Sequence, residues 1–514
     1  MSKKIPIALL ETGGNSLYAS DRKIYPRDVG GRFQAWRKVA VFVLLGMFYG
    51  FPWLRWDGRQ AVLFDLPARK FYVFGLSFWP QDFVFLAMLL IIAALALFFF
   101  TTIAGRLWCG YACPQTVWTE VFLWMEQWTE GDRNRRMKLD AAPWNGEKLL
   151  RKGSKHALWL LFALWTGFTF VGFFTPITEM AARAPFAWSG WEAFWVLFYA
   201  LATWGNAGFL REQVCKYMCP YARFQSAMFD RNTLIIAYDP MRGEPRGPRR
   251  RGTGSVLERA RGLLDQISAY DYVFRVAHHP TAADAAAQAR GETAIADFGL
   301  KAEPLPTFEA EQLGDCIDCT ICVQVCPTGI DIRNGLQYEC IACGACIDAC
   351  DEVMDKMGYP PGLVRYSTQN AIDGEPTRML RPRVFVYGLL LLALCGGWAW
   401  GVSHRSPLIA EVLRDRNALY RVVGDGRIEN SYTLKIVNKD VKPQRYRISL
   451  VAAPGIVLSG SERTIDAAAE EVLTLPLTLS APDTVHGKQT VTFKVEALDG
   501  TSREAVPSSF FGLM

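Results

Sequence analysis

The 514 residues leave room for several domains, and an apolar share of 51% with 17 tryptophans points toward a membrane protein. A net charge of +6, from 56 basic and 50 acidic residues, gives no reason to expect a nucleic-acid partner. The 13 cysteines stop at Cys395 and twelve of them sit in metal-ligand-like spacings, which suits a reducing compartment better than a disulfide framework.

The N-terminus carries Lys3 and Lys4 ahead of a short apolar run, Ile5 to Leu10. That run is too short for a signal-peptide core and lacks a cleavage site. Charge-free apolar stretches then occur at Val39–Leu54, Phe83–Ala104, Ala157–Thr178, Ala193–Leu210 and Val384–Ser403. A spanning helix takes about 20 residues. Four of the five meet that, and the first needs Trp36, Trp53 and Trp56 as interfacial anchors. The expectation is a five-helix transmembrane bundle.

Orientation follows from the basic residues. Lys3, Lys4, Arg22, Lys23, Arg27, Arg32, Arg37 and Lys38 precede the first span, and the loop after the second carries nine more between Arg106 and Lys155. The loop between the third and fourth spans has Arg183 alone. The N-terminus, the loop 105–156 and the segment 211–383 are therefore expected in the cytoplasm, with everything after the fifth span exported.

Two matching motifs follow the second and fourth spans: Cys109-x-x-x-Cys113-Pro114 and Cys215-x-x-x-Cys219-Pro220. Residues four apart share a helical face, and proline suits the first turn of a new helix. After Pro114 the residues Trp118, Val121, Phe122, Met125 and Trp128 form the apolar stripe of an interfacial helix. Four thiolates at one membrane surface suit Cu(I), zinc or an iron–sulfur centre, and ligand type alone does not choose among them; the plain alternative is small buried cysteines that pack helices. Arg106, Arg211 and Lys216 are expected to lower the thiol pKa values.

Residues 241–313 read as a linker and insertion: the basic run Arg246 to Arg251, a helix opening on the capping box Ser255 to Glu258, and an Ala-rich stretch from Thr281 to Ala296. Anionic lipid is a conceivable partner for the basic run, and a solvated linker the plainer reading.

Eight cysteines follow in two copies of one spacing, Cys316-x-x-Cys319-x-x-Cys322-x-x-x-Cys326-Pro327 and Cys340-x-x-Cys343-x-x-Cys346-x-x-x-Cys350. Three cysteines two residues apart wrap one iron–sulfur cubane, and in two-cluster ferredoxins the fourth ligates the other cluster. One [4Fe–4S] cluster is thus expected on Cys316, Cys319, Cys322 and Cys350, and a second on Cys340, Cys343, Cys346 and Cys326. Zinc knuckles favour two cysteine pairs with a longer spacer, often with histidine, and no histidine lies between His279 and His404. The chemistry is single-electron transfer. Cys395, alone in the fifth span, reads as packing, and the scarcity of histidine near the spans argues against haem.

From about Arg405 to Met514 the chain turns to short β-rich runs such as Tyr432–Val437, Tyr446–Val451 and Thr490–Val495, broken by turn signals. A small immunoglobulin-like β-sandwich is expected, without an intersheet disulfide or a catalytic constellation. The organisation expected is a cytoplasmic segment (1–38), a four-span bundle (39–240), the linker (241–313), a bacterial-type dicluster ferredoxin module (314–382), the fifth helix (383–403) and the exported domain (404–514).

Gly314-Asp-Cys-Ile-Asp-Cys319, Val325-Cys-Pro-Thr-Gly-Ile-Asp-Ile332, Leu336-Gln-Tyr-Glu-Cys340, Asp348-Ala-Cys-Asp-Glu-Val-Met-Asp-Lys-Met-Gly-Tyr359 and Arg365-Tyr-Ser-Thr368, with both Cys-x-x-x-Cys-Pro motifs and the β-domain, resemble the FixG/RdxA/CcoG family of cytochrome oxidase accessory proteins. The resemblance covers nearly the whole chain outside 252–313, and extends loosely to membrane polyferredoxins that draw electrons from quinol. It implies a protein of the bacterial inner membrane that assists assembly of the cbb3-type cytochrome oxidase, reducing Cu(II) to Cu(I) for its copper centre. The copper site would be Cys109, Cys113, Cys215 and Cys219, with copper carriers or oxidase assembly factors as partners and an unidentified electron donor. The alternative is an electron relay to a respiratory partner, with no copper site of its own.

Overall fold

The computed structural model describes residues 23–184, 187–248, 255, 313–415, 418–424, 426–459 and 463–513. The helix expected after Ser255 and the Ala-rich stretch 281–296 lie outside the described residues. The chain divides into two compact units, 1–63 with 93–390 and 64–92 with 391–514.

The helices that frame the first unit are α1 (Arg32–Gly50), α2 (Phe83–Ala104), α3 (Pro114–Glu130), α4 (Gly146–Val171) and α5 (Gly190–Thr203). The expected apolar stretches fall largely on helices, the third being interrupted by a turn at Gly172–Pro176. Among the described residues, however, only three helical runs are long and apolar enough to cross a membrane: Pro80–Ala104, Gly190–Met218 and Pro382–Ser403. The other two are diluted by charge. α1 holds Arg37, whose guanidinium is paired with Glu120 at 2.9 Å, and α4 opens with Glu147, Lys148, Arg151, Lys152 and Lys155. α5 runs on through two π-helical turns, Trp204–Leu210 and Val214–Met218. The second Cys-x-x-x-Cys motif therefore starts inside a helical run instead of after it.

Both expected proline starts are present, since α3 opens on Pro114 and a further helix, Pro220–Met228, on Pro220. The stripe on α3 does not lie free at an interface. Phe122 and Val121 are buried, Phe122 packing on Trp159 of α4, and only Trp128 at the end is exposed.

The cysteine-rich segment is organised by α6 (Ala345–Met357). Strand β1 (Ile235–Tyr238), ahead of the linker and inside the segment assigned to the bundle, pairs antiparallel with β2 (Val364–Ser367). Arg242 and Asp315 reinforce that join with a buried ion pair at 2.6 Å.

In the second unit, β3 (Ile428–Asn438), β4 (Gln444–Val451), β5 (Val472–Ala481), β6 (Lys488–Ala497) and β7 (Arg503–Phe511) build two facing antiparallel sheets. β3 pairs with β5 in one sheet, and β6 lies between β4 and β7 in the other. Alternate residues of β3 face inward, as period-2 patterning requires. Tyr432, Leu434, Ile448, Phe493 and Phe510 fill the core, so burial alone holds the sheets without a disulfide. Segment 64–82 packs on this sandwich. Glu470 accepts hydrogen bonds from Tyr72 (3.0 Å) and Ser77 (2.5 Å), and Lys439 pairs with Asp82 at 2.8 Å with both side chains 6% exposed.

Candidate functional site

The eight cysteines of the doubled motif line two cavities. Cys316, Cys319, Cys322 and Cys350 line the first, with Tyr238, Val353, Met354 and Leu363. Cys326, Cys340, Cys343 and Cys346 line the second, with Ile236, Ile330, Ile332 and Ile341, and Cys322 reaches its edge. Positive φ angles at Asp318, Thr320, Ala342 and Gly344 curl the two loops, and Gly344 leads straight into α6. α6 carries Cys346 to the second cavity and Cys350, one turn on, to the first. α6 is thus what brings Cys350 of the second motif to the cavity lined by Cys316, Cys319 and Cys322.

These cavities fit iron–sulfur cubanes in their donor chemistry. Neither has a histidine or carboxylate on its wall. Among the described residues no three His, Cys, Asp or Glu side chains stand close enough to share one ion. A zinc site would draw four sulfurs to about 2.3 Å from a single point, whereas a multi-iron core holds its thiolates farther apart. Burial pushes the thiols of Cys322 and Cys340 up to about 12. They need a cationic centre to ionise at neutral pH, and loading it would release protons.

The cysteines of the two Cys-x-x-x-Cys-Pro motifs occupy separate elements. Cys109 is in the helix Leu107–Tyr111, Cys113 caps α3, Cys215 lies in the second π-helical turn and Cys219 caps Pro220–Met228. Cys109 is in electrostatic reach of Cys113, Cys215 and Cys219, so the fold does gather the two motifs. The expectation of lowered thiol pKa values fails for Cys109 and Cys113. Burial pushes Cys109 up to about 12 and outweighs the opposing charge of Arg106, while Cys113 is also raised, chiefly by burial. Arg211 is committed elsewhere, to Glu126 at 2.5 Å. The Cys109 thiol donates to Gln225 Oε1 at 3.2 Å, and the buried Gln225 amide donates to Thr101 Oγ1 at 3.1 Å. Sequence reasoning missed Gln225, whose only signal was its place in the helix after Cys219-Pro220.

This thiol group sits against the second cavity. A Cβ on Gly110 would stand 2.8 Å from the Ile341 carbonyl oxygen, 2.9 Å from that of Ala342 and 2.9 Å from Cys343 Cα. Only glycine allows that approach of two backbones. Cys109 packs in one cluster with Ile341, Cys343 and Cys346, and the Arg106 guanidinium donates to the carbonyls of Tyr338 and Ala222, tying the cluster loop to the helix that follows Cys219.

Behind the thiols runs a belt of buried charge on α3. Glu120 pairs with Arg37, Glu126 with Arg211 and with Arg136 at 3.7 Å, and Glu130 with Lys152 and Lys155 at 3.0 and 2.8 Å. Burial alone would raise the Glu126 carboxyl, but Arg211, Arg136 and Lys155 hold it below the usual carboxylate range. Removing one partner of such a pair costs about 3–5 kcal/mol, because the other charge is left buried. The belt thereby fixes Arg211, four residues ahead of Cys215.

Eight thiols lining two largely apolar cavities, in a chain with helices able to span a membrane, define a membrane-bound dicluster iron–sulfur protein. Comparison with known proteins agrees. A 4Fe–4S dicluster domain model matches residues 210–262 and 270–369, a 4Fe–4S binding domain model matches 86–136, and the immunoglobulin-like fold at the C-terminus of FixG matches 398–513. The chain is 34% identical to the nitrogen fixation protein FixG of Rhizobium meliloti (strain 1021), covering 95% of this chain and 92% of that protein. It is 36% identical to protein RdxB of Cereibacter sphaeroides, covering 87% and 86%. A crystal structure of a FixG-related protein from Vibrio parahaemolyticus aligns over 21% of this chain and 100% of its own, at 33% identity and a TM-score of 0.20. The chain belongs to the FixG/RdxA family.

Proposed function

We propose that this protein carries electrons through two [4Fe–4S] clusters to the paired thiols at the membrane face, where Cu(II) is reduced to Cu(I). Cys316, Cys319, Cys322 and Cys350 would hold the outer cluster, and Cys340, Cys343, Cys346 and Cys326 the inner one. Each cluster supplies single electrons when bound. The observation that supports the reading is the close approach of Gly110 to the Ile341–Cys343 backbone, with Cys109 packed in one cluster with Cys343 and Cys346. Cu(II) as substrate gains one electron and becomes Cu(I), which soft thiolates retain. Since no three ligating side chains among the described residues are within reach of one ion, the sulfurs of Cys109, Cys113, Cys215 and Cys219 would act in pairs, as suits low-coordinate Cu(I). Release to a copper carrier would serve assembly of a cbb3-type oxidase. Purified protein should bind Cu(I), and changing Cys109 and Cys215 to serine should abolish that binding with both clusters intact. Undiminished binding in that variant would reject the site.

The second reading is an electron relay to a respiratory partner. One observation favours it: the 4Fe–4S binding domain model spans Cys109 and Cys113, which suits a redox centre there as well as it suits copper.

The proposed topology has five spans in the bacterial inner membrane, with the N-terminus and clusters cytoplasmic and the sandwich periplasmic. Arg27 N donates to Gln324 O at 2.8 Å, keeping the N-terminal segment with the cluster loops. Lys70 Nζ donates to Glu470 O at 2.8 Å, keeping the loop after α1 with the sandwich. Reporter fusions after Arg133 and near Gly252 should read cytoplasmic, and those near Gly190 and after Arg427 exported. A cytoplasmic signal at Arg427 would overturn the scheme.

A further inference from the structure

A cavity of about 270 Å³ opens between the start of α1, the face of α3 and the loop at Gln324–Pro327. That is close to the lower end, about 300 Å³, of small-molecule sites. Its walls carry Arg27, Arg37, Arg133 and Arg136 against Asp28, Glu120 and Asp132. Arg37 and Arg136 are only 5% and 4% exposed, and each has an Nε–H with no hydrogen-bond partner. One terminal nitrogen of each fork is engaged, that of Arg37 with Glu120 at 2.9 Å and that of Arg136 with the Pro26 carbonyl at 2.6 Å. A buried donor left without a partner is costly, and two on cationic forks lining one cavity call for an acceptor. Guanidinium groups match carboxylate and phosphate oxygens in two-point geometry. The cavity also touches the cluster module. Val325 and Pro327, on either side of Cys326, and Ala345, next to Cys346, are part of its wall.

We propose that this cavity binds a small oxyanion, a phosphate or carboxylate borne by a soluble metabolite or a lipid headgroup, and that its occupancy is linked to the redox state of the inner cluster. The linkage rests on the cluster assignment above; the binding does not. An electron added to a cluster held by Cys326 and Cys346, whose neighbours Val325, Pro327 and Ala345 are in the cavity wall, would repel the bound anion. The ligand therefore prefers the oxidised protein, and by reciprocity it lowers the cluster's potential. A tenfold preference corresponds to a shift of about 59 mV for one electron.

The test uses the full chain with its clusters, in nanodiscs of phosphatidylcholine, titrated with pyrophosphate and with citrate. Saturable binding of one anion per chain is expected, weakened about tenfold in Arg27→Gln and in Arg133→Gln with iron content unchanged, on the scale of a lost charge-assisted contact. These two side chains are exposed and half-buried, outside the core of the ionic belt. Loss of pyrophosphate binding in phosphatidylglycerol nanodiscs assigns the site to a lipid headgroup, and unchanged binding there assigns it to a soluble anion. No saturable binding of either anion, or binding indifferent to both variants, overturns the site. Binding that leaves the inner cluster's midpoint potential unmoved keeps the site and overturns the linkage.

Discussion

Changing Cys326 to serine is expected to remove the cluster nearest to it in space and spare the one nearest in sequence. Cys326 follows Cys322 by four residues, yet it lines the cavity of Cys340, Cys343 and Cys346, next to Pro327 and Thr328. Iron should fall from about eight to about four atoms per chain, and the surviving electron paramagnetic resonance signal should be that of the cluster on Cys316, Cys319, Cys322 and Cys350. The reciprocal change, Cys350→Ser, should spare the inner cluster. A Cys326→Ser protein that keeps the inner signal and loses the outer one would refute the crossed assignment.

The grouping of the eight cysteines around the two cavities was legible because the constraint is local. Three thiols two residues apart use up the reach of one loop, so the fourth has to go elsewhere, whatever surrounds it. Pro114 and Pro220 were legible for a similar reason, since a residue without an N–H belongs where helical N–H groups have no partner. The alternation along Ile428–Asn438 likewise encodes its own burial. Elsewhere the deciding partner was far along the chain. Arg37 looks like a flanking charge until Glu120 is placed beside it, and it is part of what leaves α1 short of a clear membrane span. Four residues, Ile235–Tyr238, are too few to declare a strand, and Val364–Ser367 is what makes them one. Sequence shows Arg106 three residues from Cys109, which suggests an acidified thiol. It does not show the burial that outweighs the arginine. The π-helical turn holding Cys215 and the approach of Gly110 to the Ile341–Cys343 backbone have no pattern that a single sequence displays.

In the proposed function the electron leaves at the thiols of Cys109, Cys113, Cys215 and Cys219, and a single-turnover experiment addresses that directly. The protein is reduced anaerobically until both clusters are charged, freed of reductant and mixed rapidly with Cu(II), while cluster absorbance and Cu(I) are followed together. In the parent, one Cu(I) should appear for each cluster electron lost. In the variant with Cys109, Cys113, Cys215 and Cys219 all changed to serine, iron content should hold and the transfer should slow by about 100-fold or more, since even outer partners of metal ligands are worth 10–100-fold. Reoxidation of that variant's clusters by Cu(II) at the parental rate, with Cu(I) formed, would contradict the account and leave the electron-relay reading in its place.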